Sequence, residues 1–223
     1  RLGESQHQRC QLLTSREKHQ ENAALEGEKL PIRSLKLRGL NKLQTSSILE
    51  SKGLAALKEE SELLMQRYAG NPLFIKLVAT AIHELFAGNI KEFLQQETVA
   101  FGDIRALLDE QFNRLSVLEK QIMYLLALND DFSLQKLQRE LVLRVTGRLT
   151  LEAVELLQRR SLIDRVGEGF SLTPVLREHL IEKLIEENLK FSQDETSSLL
   201  FAHTIFEKQL KNHLKVNRLN TKL

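Results

Sequence analysis

The chain has 223 residues, 42% of them hydrophobic and 28% charged, with 32 Lys+Arg against 30 Asp+Glu, so it is sized for one or two ordinary domains and lacks the basic excess of a dedicated nucleic-acid binder. Its one cysteine, Cys10, excludes an internal disulfide framework and a cysteine-built zinc site, and fits a reducing, cytoplasmic setting. No run approaches the roughly 18 consecutive apolar residues of a membrane span, so no membrane partner is expected.

The 45 leucines, with few Val and Thr, favour helix over sheet. Residues 1–34 are the exception. Gln11-Leu12-Leu13, ending in Thr14-Ser15-Arg16, reads as a short strand, and Ile32 to Leu37 as a second. Two short strands cannot make a stable sheet alone, so their partners are expected upstream of Arg1, and their edges are expected to be exposed or poorly ordered. From about Asn41 the pattern turns helical. Residues 41–53 and 57–68 form amphipathic segments, the second with Leu63, Leu64 and Tyr68 on one face. Gly70 then stops a helix, Asn71 caps the next and Pro72 fits its first turn. Apolar residues follow at 73, 74, 77, 78, 81, 82, 85 and 86, close to a 3.6-residue period. Residues 90–95 form a short helix, and 103–114 another with Ile104, Leu107, Leu108 and Phe112 inward.

Ser116 and Glu119 make a capping box that opens a helix through Leu128. Ser133 starts a second helix to about Leu141, and Thr150 a third to Arg160. Residues 162–166 and 170–172 flank Gly167-Glu168-Gly169 as a hairpin, after which Thr173 caps a helix with Pro174 at its first position. Three helices and a hairpin within residues 116–173 is the order of a winged helix-turn-helix. A second capping box, Ser192 to Glu195, opens a final amphipathic segment with a basic end from Lys208.

Most chemical motifs are absent. None of the ten glycines is followed by lysine, so the chain has no G-x-x-x-x-G-K-[ST] loop to cradle phosphates. The six histidines lack H-E-x-x-H spacing, and no Ser/His/Asp set can be assembled. Asp130-Asp131 ends an apolar run as a magnesium-holding strand would, but that run starts at a capping box and keeps helical period, so a solvated turn is favoured. In the third helix of the winged-helix pattern, the half that would meet bases carries Glu152 and Glu155, which phosphates repel. A protein-packing role is favoured there over DNA.

Taken in order, Leu12-Leu-Thr-Ser-Arg16, Gly70-Asn-Pro-Leu73 and a winged helix closed by Phe170-Ser-Leu-Thr-Pro174 resemble the NB-ARC module of STAND-class signalling ATPases. Segments such as Leu25-Glu-Gly-Glu-Lys-Leu-Pro and Phe101-Gly-Asp-Ile-Arg are most similar to bacterial, especially cyanobacterial, members with C-terminal WD repeats. The resemblance implies a mainly α chain: a remnant of a P-loop α/β sheet over 1–38, a helical-bundle subdomain over 39–114, a winged-helix subdomain over 115–190 and a linker helix over 191–223. It implies ADP or ATP as cofactor of an intact parent. Arg16 matches the family's sensor arginine near the terminal phosphate. Gly70 and Pro72 match its Gly-x-Pro turn near the adenine. Thr173 falls where the family often has a histidine touching the ADP phosphate.

The expected function is therefore the regulatory part of a nucleotide switch that closes over ADP and reopens on exchange. This chain itself is expected to be no enzyme, with no measurable hydrolysis and at best weak ADP binding. Expected partners are an upstream P-loop domain, downstream WD repeats or an effector domain, and further copies in an active oligomer. The alternative is a winged-helix DNA-binding regulator.

Overall fold

A computed structural model of the chain describes residues 12–15, 17, 26–27, 29–30, 32–96, 98–129, 132–141 and 145–191, with side chains through 186. The described residues are mostly helical, with nine helices and one small three-stranded sheet. Five helices come first: α1 (Lys42–Ser51), α2 (Lys58–Arg67), α3 (Pro72–Leu85), α4 (Ile90–Leu94) and α5 (Gly102–Asn113). Local chemistry starts most of them. Asn41 and Gln44 form a capping box on α1, and the Asn89 side chain accepts from the Glu92 amide at α4. Leu49, Leu64, Tyr68, Ile75, Val78, Ile82 and Phe93 are fully or almost fully buried among these helices.

Two predicted faces are rotated from their observed ones. Leu63 is exposed, and Ser61 takes the inward place beside Leu64 and Tyr68. On α3 the buried arc is Phe74, Ile75, Val78, Ala79 and Ile82, while Leu73 and Leu85 face solvent. The apolar positions of α3 are broader than the face its neighbours α1 and α5 cover, so the period alone locates the arc only to about one residue. The buried Tyr68 hydroxyl donates to the Val99 carbonyl at 3.0 Å, tying α2 to the segment before α5. Burial raises its pKa, so it stays a neutral donor. Tyr68→Phe is expected to destabilise the fold by about 1–2 kcal/mol in urea melts, because the Val99 oxygen loses its donor.

The second half contains α6 (Val117–Leu128), β1 (Phe132–Ser133), α7 (Leu134–Glu140), α8 (Gly147–Arg159), β2 (Asp164–Val166), β3 (Gly169–Ser171) and α9 (Pro174–Phe191). The predicted box at Ser116 forms: its hydroxyl accepts from the Glu119 amide, and the Glu119 carboxylate accepts from the Ser116 amide at 2.7 Å. The hairpin β2–β3 turns at Gly167, whose φ is +57°. The sheet is antiparallel in the order β1-β3-β2, with Phe132 opposite Phe170. A short strand preceding α7 was not anticipated. The third helix starts one turn earlier than Thr150: Thr146 is its N-cap, and Thr150 is buried inside it. Gly147 in the first turn disguises that start, since glycine reads as a breaker. α9 packs on α2, α5 and α6, so a single core runs from Leu49 to Leu180.

The strands predicted at 11–13 and 32–37 do not form among the described residues. The pairing seen there is one isolated parallel bridge, Glu26 to Ile32. Leu12, Leu13, Leu35 and Leu37 are each at least 80% exposed, as extended backbone without a neighbouring strand to pair with must be. The final segment predicted from Ser192 lies outside the described residues.

Candidate functional site

A cavity of about 420 Å³ opens where the start of α3, the end of α5 and the end of α8 converge. α3 contributes Asn71, Leu73 and Phe74; α5 contributes Leu107, Gln111 and Arg114. Arg160, Ser161 and Leu162 follow from α8, and Glu17 closes the rim. The volume lies in the range of small-ligand pockets, and the lining joins apolar walls to a few charged groups.

Each wall is placed by local backbone chemistry. Ala69 and Gly70 adopt left-handed φ values of +51° and +63°, which turn the chain sharply out of α2. Asn71 then caps α3, its Oδ1 accepting from the amides of Leu73 at 2.9 Å and Phe74 at 3.3 Å. At the far wall Ser161 has φ +55°, an unusual conformation for a residue with a Cβ. That turn ends α8 and leaves Arg160 beside the cavity.

Arg160 is the electrostatic centre of this region. Its Nη1 donates to Glu119 Oε1 at 3.3 Å, and its Nε lies 3.3 Å from Glu17 Oε1. The Glu17 contact is an ion pair without hydrogen-bond geometry, so the solvent-shielded Nε–H makes no hydrogen bond. Arg114 pairs with Glu110 one turn back on α5. The arrangement therefore offers two guanidinium groups, one exposed carboxylate and the polar side chains of Asn71, Gln111 and Ser161. Chemically it suits an anion attached to an apolar body.

The residues singled out in the sequence are only partly united here. Gly70 and Pro72 bracket Asn71, and it is Asn71 that lines the cavity. Arg16 lies outside the described residues, although its neighbour Glu17 is at the rim. Thr173 is half-buried at the start of α9, where its carbonyl accepts from the Arg177 amide at 3.0 Å, and it does not line the cavity. Asp130 and Asp131 are likewise outside the described residues. Sequence reasoning missed Arg114 and Arg160 as site residues. For Arg160, its position at the end of α8 was the available signal.

On α8, Arg148 pairs with Glu152 at 2.9 Å and Arg159 with Glu155 at 2.6 Å, so its charges are largely met along the helix itself. Among the described residues no group of three or more His, Cys, Asp or Glu could hold a metal ion, and no helix is long and apolar enough to cross a membrane.

No protein-family model matches the chain, and no solved structure matches it. Among curated proteins it is similar to an uncharacterized WD repeat-containing protein of the cyanobacterium Nostoc sp., with 45% identity over 195 residues. That alignment covers 83% of this chain but 16% of the relative, so the chain spans about a sixth of the longer protein.

Proposed function

We propose that this chain is the regulatory part of an NB-ARC-like nucleotide switch, with ADP or ATP bound in the cavity between α3, α5 and α8. On this reading α1–α5 form the helical subdomain, and α6–α9 with the sheet form the winged-helix subdomain. The P-loop is supplied from outside these 223 residues, and WD repeats follow, in keeping with similarity to a WD repeat-containing protein of Nostoc. The observation that carries the reading is the cavity itself. It brings Asn71, the middle of the Gly-x-Pro turn, together with Glu17, next to Arg16, and with the end of α8. In such a switch the two halves close over the diphosphate, and exchange to the triphosphate favours an open, oligomerising form because the two nucleotides make different contacts.

The chain order of α6 to β3 is also that of DNA-binding winged helices, but the self-paired charges of α8 leave little net positive surface for phosphate backbone. The test is calorimetry with ADP on two proteins: this chain, and the longest natural protein that contains it. The longer protein is expected to bind ADP tightly and the chain at best weakly. Sub-micromolar binding by the chain alone, or none by the longer protein, would overturn the reading.

A further inference from the structure

We infer that Glu17 is a built-in occupant of the phosphate position in this cavity, holding Arg160 until an incoming diphosphate displaces it. The inference rests on the nucleotide reading for its natural ligand, but the displacement is a property of Glu17, Arg160 and Glu119 themselves. Arg160 is anchored from behind. Glu119, whose side chain is 5% exposed, accepts from its Nη1, and the same carboxylate accepts from the Ser116 amide at 2.7 Å. Glu119 therefore cannot leave without stranding a buried charge. Glu17 differs in every respect. Its side chain is 59% exposed, and it approaches Arg160 at 3.3 Å without completing a hydrogen bond. It can swing into water at little cost, since exposed ion pairs contribute little.

The shielded Nε–H of Arg160 is then a donor waiting for an acceptor in line, and a phosphate oxygen supplies one with the charge that arginine pairs best. Arg114 supplies a second cation to the cavity lining. The helix terminus does not compete for the anion, because Asn71 already satisfies the Leu73 and Phe74 amides. With Glu17 in place the cavity lining carries two positive side chains and one negative; with it displaced, the lining carries the two positive ones alone, Arg114 keeping its Glu110 partner and Arg160 its Glu119 partner outside the lining.

The experiment titrates inorganic pyrophosphate, and separately ADP, into the chain and its Glu17→Gln variant by calorimetry at low ionic strength. Pyrophosphate is expected to bind Glu17→Gln about three- to fivefold more tightly, the range an exposed ion pair accounts for. Adding Arg114→Gln or Arg160→Gln to that variant is expected to remove the gain. Arg114 is exposed, so that variant tests the site even if Arg160→Gln unfolds by stranding Glu119. Equal pyrophosphate affinity with and without Glu17, or a gain that survives loss of Arg114, would overturn the inference. ADP binding by the longer protein that is indifferent to Glu17→Gln would overturn it too, while leaving the nucleotide switch standing. A Glu17→Gln gain for pyrophosphate, with no ADP binding by the longer protein, would support the displacement and overturn the nucleotide reading instead.

Discussion

Gly70→Ala is expected to lose at least about 3 kcal/mol of stability in urea unfolding, and to disorder the cavity wall with it. Two costs add. The residue sits at φ +63°, where a side chain is strained wherever it points. An added Cβ would also lie 2.4 Å from the Leu40 carbonyl oxygen and 2.6 Å from the Leu40 nitrogen. Both are backbone atoms that cannot rotate away, and the Leu40 amide donates to the Gly70 carbonyl at 2.7 Å. The same crossing is tight from the other side, where a Cβ on Gly39 would lie 2.2 Å from the Ala69 oxygen. Gly53→Ala is the internal control. Gly53 has φ +78° but nothing within 4 Å of its Cβ position, so that variant should lose only about 1 kcal/mol. If the two variants melt alike, the 39–40 segment does not lie against the turn, and the placement of Asn71 at the cavity needs another cause.

That crossing also marks the boundary of what was legible in the sequence. The Gly70-Asn71-Pro72 turn, the Ser116–Glu119 box, the hairpin at Gly167 and the cap at Ser133 were all readable, because each is settled by hydrogen bonds within a few residues. Strands are different. Leu12, Leu13, Leu35 and Leu37 have strand-like residue types, but a strand exists only with a partner, and none of the described residues supplies one. The α3 stripe was legible as a helix and misplaced as a face, because Leu73 belongs to the apolar run yet borders the cavity and not the core.

The site was the least readable part. Arg114 and Arg160 come from different halves of the chain and line one cavity only because the ends of α5 and α8 both border it in the folded chain. The acidic residue nearest Arg114 in sequence, Glu110, suggests an ordinary helix-surface pair, which is what Arg114 in fact makes, whereas the partners of Arg160, Glu17 and Glu119, are remote from it in sequence. Thr173 was singled out by resemblance alone, and its place as the first acceptor of α9 leaves the cavity lining to Arg160 and Ser161.

The fold is expected to weaken as the pH falls below about 6.5, with His179 as the main cause. His179 is 1% exposed on α9, and neither of its ring nitrogens makes a hydrogen bond. Burial lowers its pKa by disfavouring the imidazolium; Asp109, 3.4 Å from Nε2, raises it in part, while the charges of Lys183 and Arg105 lower it further. A histidine with a depressed folded pKa binds its proton more readily when unfolded. Its stabilising contribution is complete above the unfolded value of about 6.5 and is lost as the pH falls through the folded one, by at most about 1.4 kcal/mol per pH unit. The surrounding clasp sets the neighbouring responses. Asp109 accepts from Lys183 at 2.6 Å, and Arg105 bonds Glu186 at 2.5 Å, joining α5 to α9. Burial raises the pKa of Asp109, but its Lys183 partner and the other nearby cations outweigh that and leave it lowered, so its contribution fails only in stronger acid. Glu182 works in the opposite sense: burial raises its pKa, and acid relieves its charge.

His179→Leu separates these groups. It should flatten the slope of stability against pH in the range just below about 6.5 and leave the steeper acid limb in place. An unchanged slope in that window would assign the proton elsewhere. Because α5 also carries Leu107, Gln111 and Arg114, loosening α5 from α9 displaces one wall of the cavity, and ligand affinity should fall with the same pH dependence. In His179→Leu, affinity measured at pH 5.5 should therefore approach its neutral-pH value, while in the unsubstituted chain it should not.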